Sequence, residues 1–133
     1  MHANSSTARH LLKALDRHPH IRLAMVFGSV ARGTARADSD LDLAVDAGRS
    51  LSAEERRALI EDLAEVSGRP VDLIDLRTAG EPLLGRIMHD GVMIRGRKSD
   101  RGQWLYRHLI EQADFLPYRN RILKERRQKW IGN

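Results

Sequence analysis

Two aspartates separated by one residue, Asp40 and Asp42, stand at the start of a short apolar segment that alternates like a strand. Residues two apart on a strand project from the same face, with Cα atoms roughly 6 to 7 Å apart. Two ionised carboxylates in that position repel each other, and burying either one costs free energy. A divalent cation removes this conflict, and oxygen ligands without histidine or cysteine favour Mg²⁺ or Mn²⁺ over zinc. The sequence therefore predicts a cation site at Asp40 and Asp42.

A candidate phosphate site precedes the aspartates. Gly28 and Ser29 follow the apolar run IRLAMVF (residues 21–27), so backbone N–H groups and a hydroxyl would lie at the first turn of a short helix, which favours an anion. Gly28 has no side chain to block a phosphate, and Gly33 can adopt backbone angles closed to other residues. Arg32 could reach the same anion or pair with a motif carboxylate. The predicted ligand-binding residues are Gly28, Ser29, Arg32 and Gly33.

A third carboxylate would allow two metal ions, one at the attacking oxygen and one at the departing phosphate. The predicted strand VDLIDL, residues 71–76, offers Asp72 and Asp75, which are three apart and so face opposite sides. We select Asp72 because it lies at the start of the strand, close in register to Asp40 and Asp42. We expect Asp75 at the far end or the rim.

Two other interpretations compete for this stretch. Gly28 and Gly33 have the glycine spacing of a P-loop, but Thr34 and Ala35 stand where that motif needs Lys and Ser or Thr, so we set it aside. The run from Asp38 into the strand could instead be a polar turn at a strand edge, without any ligand.

Periodicity predicts a mixed α+β domain, a small sheet flanked by helices with a long helical segment at the C-terminus. Ser52 and Glu55 form a capping box for one of the helices. A polar connector, residues 96–102, is expected before the final helix, which Pro117 should kink or split. Predicted helices cover residues 6–17, 52–68, 82–91 and about 103–130, and predicted strands cover 21–27, 41–45, 71–76 and 92–95.

The length of 133 residues suggests one domain. The absence of cysteine fits a reducing compartment, and neither a signal peptide nor an apolar run of membrane-spanning length is visible. We therefore expect a cytoplasmic protein that does not enter a membrane. His18 and His20 lack further histidine or cysteine at a ligand spacing, so we expect a surface turn there rather than a metal site.

Positive charge is concentrated at the C-terminus. Residues 99–133 hold eight Lys and Arg against four Asp and Glu, whereas residues 1–98 hold 15 against 14. We divide the chain accordingly into a core, residues 1–98, and a basic helical extension, residues 99–133, packed on the core or on a partner. Nucleic acid could bind the basic run YRNRILKERRQKW, residues 118–130, but we favour contact with a partner protein.

The glycine-serine pair, ten further residues and then Asp-Leu-Asp, with VDLIDL downstream, resembles the nucleotidyltransferase motif of the DNA polymerase β superfamily. The small size resembles the minimal nucleotidyltransferase branch, antitoxins that are paired with HEPN-domain toxins. The resemblance extends from about Leu11 to Arg95.

This resemblance implies a nucleotidyltransferase fold and an enzyme that transfers AMP from ATP to a tyrosine of a HEPN-type toxin, releasing pyrophosphate. It implies that Gly28 and Ser29 contact the triphosphate and that Asp40 and Asp42 bind Mg²⁺. Asp72 would complete the metal site and help to activate the attacking hydroxyl. Two alternatives stay open: an antitoxin that neutralises by binding alone, and transfer to a small molecule such as an aminoglycoside.

Overall fold

Short apolar runs separated by glycine and proline give this chain four strands and the helices that cover them. The structure is a computed structural model and describes residues 5–113. Its elements are α1 Ser5–Asp16, β1 Leu23–Phe27, α2 Gly28–Arg32, β2 Leu41–Asp46, α3 Ala53–Ser67, β3 Val71–Asp75, α4 Leu83–Asp90, β4 Val92–Arg95 and a fifth helix, α5, described over residues 98–113.

The four strands form one mixed sheet in the order β3-β2-β1-β4. β1 pairs antiparallel with β2 and β4, and β2 pairs parallel with β3 through the crossover helix α3. The register sets Asp42 opposite Phe27 on one side and opposite Asp72 on the other. The predicted small mixed sheet flanked by helices is therefore confirmed.

Strand β2 shows how the alternating sequence builds two cores. Leu41, Leu43 and Val45 are buried in the cluster to which α1 and α3 contribute Leu15 and Leu63. Ala44 faces the opposite cluster, to which α4 and α5 contribute Leu84, Ile87, Met88 and Trp104. Because both faces are covered, Asp42 is half-buried even though it lies near the end of its strand.

The start of α3 was predicted correctly. The Ser52 side chain accepts a hydrogen bond from the Glu55 backbone N–H at 3.1 Å, and the Glu55 carboxylate accepts one from the Ser52 N–H at 3.0 Å. Gly68 ends the helix with a φ of 67°. This capping box and glycine terminus are local signals, which is why sequence alone finds them.

The predicted polar connector over residues 96–102 was wrong for most of its length, because α5 already begins at residue 98. The Asp100 carboxylate accepts a hydrogen bond from the Arg97 backbone N–H at 2.9 Å, which stabilises the first turn. Trp104, six per cent exposed, then anchors the helix in the core. Pro117 and the basic run at 118–130 lie outside the described residues.

The expected surface turn at His18 and His20 was wrong for His18. That side chain is buried, and its Nε2 lies 2.6 Å from Asp62 Oδ2 on α3. His20 Nε2 lies 3.4 Å from Glu55 Oε2. These contacts tie the segment after α1 to α3, and they are long-range, so local spacing did not reveal them.

Within residues 5–113, no helix has the length and apolar character needed to cross a membrane.

Candidate active site

The site begins where β1 turns directly into α2. Gly28 has a φ of 70°, the left-handed region that favours glycine. A Cβ built on it would lie 2.2 Å from Asp42 Oδ2, so the backbone of Gly28 approaches the carboxylate more closely than any other residue type allows. This approach follows from the register, because the preceding residue, Phe27, pairs with Asp42.

Helix α2 is one short turn that presents Ser29. Its N-terminal cap, Phe27, makes no side-chain hydrogen bond to the helix. Among the described residues the Ser29 hydroxyl also has no protein partner, although the Ser29 carbonyl accepts the Thr34 N–H at 3.0 Å. The N–H groups and the hydroxyl can donate hydrogen bonds to a phosphate, and the neighbouring carboxylate can hold a cation that binds the same phosphate.

The three predicted aspartates converge from two neighbouring strands. Asp42 is on β2, Asp72 lies beside it on β3, and Asp40 immediately precedes β2. Asp40 and Asp72 are exposed and Asp42 is half-buried. Burial raises the pKa of the Asp42 carboxyl, the negative charges of Asp72 and Asp40 raise it further, and the positive charge of Arg32 lowers it. Part of this pKa shift therefore comes from neighbouring negative charges, which a cation would offset.

The donor set fits a divalent cation such as Mg²⁺. Within residues 5–113, no three His, Cys, Asp or Glu side chains are spaced to hold a metal ion as they stand. The oxygen-only character of Asp40, Asp42 and Asp72, and the repulsion among them, nevertheless match what such a cation binds in proteins. The fit therefore rests on the chemistry of the donors and not on their present spacing.

The remaining predicted residues lie at the far end of α2. Arg32 is exposed in the last turn, close enough for its charge to act on Asp42. Gly33 ends the helix with a φ of 74°, and its N–H bonds back to the carbonyls of Ser29 and Val30. Gly33 thus turns the chain toward the loop before β2, and its predicted contact with a ligand stays a prediction.

Asp75 serves the fold instead. It is buried, and its carboxylate accepts hydrogen bonds from the backbone N–H groups of Leu51 and Arg77 at 3.1 and 3.0 Å. Its position at the far end of β3 agrees with the prediction.

A sizeable cavity lies away from the carboxylates. It has a volume of about 520 Å³ and is lined by Arg22, Gly96, Arg97 and Asp100, at the end of the sheet where β1 begins. The three aspartates are at the end where β1 finishes. Volume alone therefore does not identify a reactive site, and the carboxylates at the other end of the sheet remain the candidate.

Residues 9–100 match the family described as polymerase beta, nucleotidyltransferase. The chain belongs to this family. The nucleotidyltransferase motif predicted from Gly28 to Asp42 lies inside the match, and so does Asp72. The sequence resemblance to this superfamily is thus confirmed.

The chain also resembles individual proteins of known name. It is 35% identical over 85 residues to the protein adenylyltransferase MntA of Shewanella oneidensis, which is 64% of this chain and 61% of MntA. The chain therefore aligns with less than two thirds of that relative.

Two solved structures have the same fold. One is a toxin-antitoxin crystal structure with AMP-PNP, with a TM-score of 0.76 and 28% identity over 89% of this chain and 96% of that one. The other contains a tri-AMPylated Shewanella oneidensis HEPN toxin in complex with an MNT antitoxin, with a TM-score of 0.72 and 25% identity over 94% and 98%.

Sequence reasoning missed two contributors to this architecture, Arg69 and Trp104. Arg69 hydrogen-bonds the loop that carries Asp40, and Trp104 bonds the buried Asp46 at the other end of β2. Neither belongs to a motif with fixed spacing. Only the three-dimensional contacts identify them.

Proposed function

We propose that this protein transfers AMP from ATP to a tyrosine hydroxyl of a cognate HEPN-type toxin and thereby neutralises it. The observation that carries the proposal is the convergence of Asp40, Asp42 and Asp72 beside the uncapped start of α2, in a chain of the nucleotidyltransferase family. The AMPylated toxin bound to the MNT antitoxin supports the choice of acceptor.

Each site residue takes a role that its position allows. Asp40, Asp42 and Asp72 would hold Mg²⁺ or Mn²⁺, which supplies positive charge to the triphosphate and aligns it with the acceptor. The N–H groups at Gly28 and the hydroxyl of Ser29 would donate to the phosphates, with Arg32 adding charge and Gly33 shaping the turn.

The reaction is an in-line displacement. The tyrosine oxygen attacks the α-phosphorus of ATP, a new P–O bond forms, and the bond to the departing pyrophosphate breaks. Asp72 is exposed on the edge strand β3, where it can orient the tyrosine hydroxyl and accept its proton. Positioning and charge stabilisation supply most of the rate enhancement in such transfers.

The C-terminal extension, residues 99–133, is the part of the chain that we assign to partner contact. In its described portion, α5 buries Trp104 on the core and exposes a stripe of large apolar side chains, at Leu105, Tyr106, Leu109 and Ile110. Exposed apolar surface beside basic residues fits a protein partner better than nucleic acid. We propose a cytoplasmic reaction, because the proposed donor, ATP, is abundant there.

Labelled ATP tests the transfer. The complex of this chain with its toxin is incubated with Mg²⁺ and ATP labelled at the α- or the γ-phosphate. We expect the toxin to retain the α-label only, because pyrophosphate carries the γ-phosphate away. Retention of the γ-label, or of neither label, would contradict AMP transfer.

Neutralisation by binding alone predicts a different outcome in cells. Asp40→Asn should remove transfer while leaving the fold and the complex intact. Protection of cells from the toxin should therefore be lost with this variant. Protection equal to that by the wild type would show that binding is sufficient.

A further inference from the structure

Asp40 lacks the support that the sheet gives to Asp42. Asp42 is held by β1 on one side and by β3 on the other, opposite Phe27 and Asp72. Asp40 precedes the first residue of β2 and is exposed. Its position therefore depends on the loop that connects α2 to β2, residues 33–40.

The last part of this loop is a turn with few bonds of its own. The Ser39 N–H donates to the Arg36 carbonyl at 3.1 Å, and the Arg36 N–H donates to the Ser39 hydroxyl at 2.8 Å. Both residues lie on or near the surface, where water competes for such bonds. A further contact is needed to hold the turn in one place relative to the sheet.

Arg69 provides that contact from the other side of the strand pair. Its Nη1 donates to the carbonyls of both Arg36 and Ser39, at 3.0 Å for Ser39. The guanidinium therefore bonds the two residues that close the turn. Because a charged donor strengthens a hydrogen bond to a carbonyl, this contact is a strong link between the turn and the start of β3.

Arg69 is itself fixed at the start of β3. Its backbone N–H donates to the Ser67 hydroxyl at 3.2 Å, directly after the glycine that ends α3. The next residue, Pro70, accepts the Leu41 N–H at 2.8 Å, one residue beyond Asp40. The side chain of Arg69 thus extends the β2–β3 pairing past the end of the sheet.

We propose that Arg69 is a positioning residue that holds the turn at 36–39, so that Asp40 lies beside Asp42 and Asp72, and thereby sets the affinity of the carboxylate site for a divalent cation. The inference rests on the proposed function and deepens it. Arg69 touches neither phosphate nor cation in this role and acts through the backbone of the loop. Residues that hydrogen-bond metal ligands directly typically change metal affinity 10- to 100-fold when removed, and Arg69 bonds the carbonyl of Ser39, the residue before Asp40.

The test compares Arg69→Ala with Arg95→Ala in the full chain. Arg95 is a matched control, because its Nη1 also donates to a backbone carbonyl, that of Leu15, at 2.8 Å and at the opposite end of the sheet. Mn²⁺ binding is measured by electron paramagnetic resonance without ATP, and amide hydrogen exchange is followed over residues 36–41. Folding of each variant is checked by circular dichroism.

We expect Arg69→Ala to weaken Mn²⁺ binding by about tenfold or more and to speed exchange over residues 36–41. Arg95→Ala should leave both within about twofold of wild type. Arg69→Lys keeps a donor that can reach one carbonyl, so it should recover part of the affinity. It also serves as the test variant if Arg69→Ala does not fold.

Equal Mn²⁺ affinity in wild type and the Arg69 variants would overturn the inference, and so would equal losses in the Arg69 and Arg95 variants. A wild-type chain that binds no Mn²⁺ would overturn it as well. Mn²⁺ binding and hydrogen exchange are both measured without turnover. If the Arg69 variants lose Mn²⁺ affinity as predicted but the wild type transfers no AMP, the proposed function is refuted and the role of Arg69 stands.

Discussion

Gly28 and Asp42 form the tightest approach between backbone and carboxylate in the site. The glycine has a φ of 70° and leaves 2.2 Å between a hypothetical Cβ and Asp42 Oδ2. Two separate constraints, backbone angle and space, therefore fix glycine at this position. A second glycine, Gly68, shares the first constraint only, with a φ of 67° and no atom within 4 Å of its hypothetical Cβ.

Replacing these glycines separates the two constraints. Gly68→Ala should cost about 1 kcal/mol in the free energy of unfolding, because a left-handed backbone disfavours alanine, and should leave AMP transfer unchanged. Gly28→Ala should cost more and should slow transfer about a hundredfold, because the methyl group displaces Asp42. Denaturant unfolding and transfer rates measure both, and equal effects of the two substitutions would contradict the account.

Asp42 should lower the stability of the cation-free protein at neutral pH. Its pKa is raised in the folded state above the ordinary value of 3.8, so the folded chain binds a proton more readily than the unfolded chain does. Stability from this group is present below about pH 3.8 and is lost as the pH rises through the folded-state pKa.

Asp42→Asn should therefore raise the thermal midpoint at pH 7 without divalent cation, and this gain should disappear in acid. Added Mg²⁺ should raise the midpoint of wild type and have little effect on the variant, because a cation stabilises only the state that binds it. Differential scanning calorimetry with and without Mg²⁺ checks both. If Asp42→Asn is less stable than wild type at every pH, the repulsion among the three aspartates does not destabilise the folded protein.

At the scale of elements, local signals predicted β2, α3 and the turn into α2 because each is encoded within a few residues. Alternation set the faces of β2, and Ser52 with Glu55 set the start of α3. The start of α5, the burial of His18 and the role of Arg69 depend on contacts between distant parts of the chain. A single sequence carries no spacing signal for such contacts, so they required the structure.

Helix α5 is attached to the sheet through one buried carboxylate. Asp46, at the end of β2, accepts hydrogen bonds from Trp104 Nε1 at 3.2 Å, Arg77 Nε at 3.1 Å and the Gly48 N–H at 2.9 Å. Arg77 and Arg107 also lie over the Trp104 ring, 5.9 and 5.1 Å from its centroid. Strand β2 thus carries Asp42 near its first residue and holds helix α5 at its last residue, Asp46.

Trp104→Phe should destabilise the protein by about 1 to 3 kcal/mol, because the smaller phenyl ring fills less of the core and leaves Asp46 short of a buried donor. Hydrogen exchange over residues 98–113 should accelerate. Transfer to the toxin should fall through weaker partner binding, with ATP affinity unchanged. Unaltered denaturant unfolding would show that this hydrogen bond does not anchor the helix.

In the whole molecule, the proposed catalytic carboxylates and the proposed partner-contact surface occupy different regions. The aspartates gather at one end of the sheet, and the excess of positive charge lies in residues 99–133. This division would let the surface that binds a partner protein present it to a fixed site. We propose that the aspartate cluster catalyses covalent transfer of AMP to that partner.

The most direct test of this transfer is the intact mass of the toxin after incubation with this chain, Mg²⁺ and ATP. A matched control is Asp16→Asn, which removes an exposed carboxylate paired with Arg95 at the other end of the sheet. The account predicts that the toxin gains whole AMP units with wild type and with Asp16→Asn, and none with Asp42→Asn or Asp72→Asn. An unchanged toxin mass in a complex that forms, or equal AMP addition by the Asp42 variant, would contradict it.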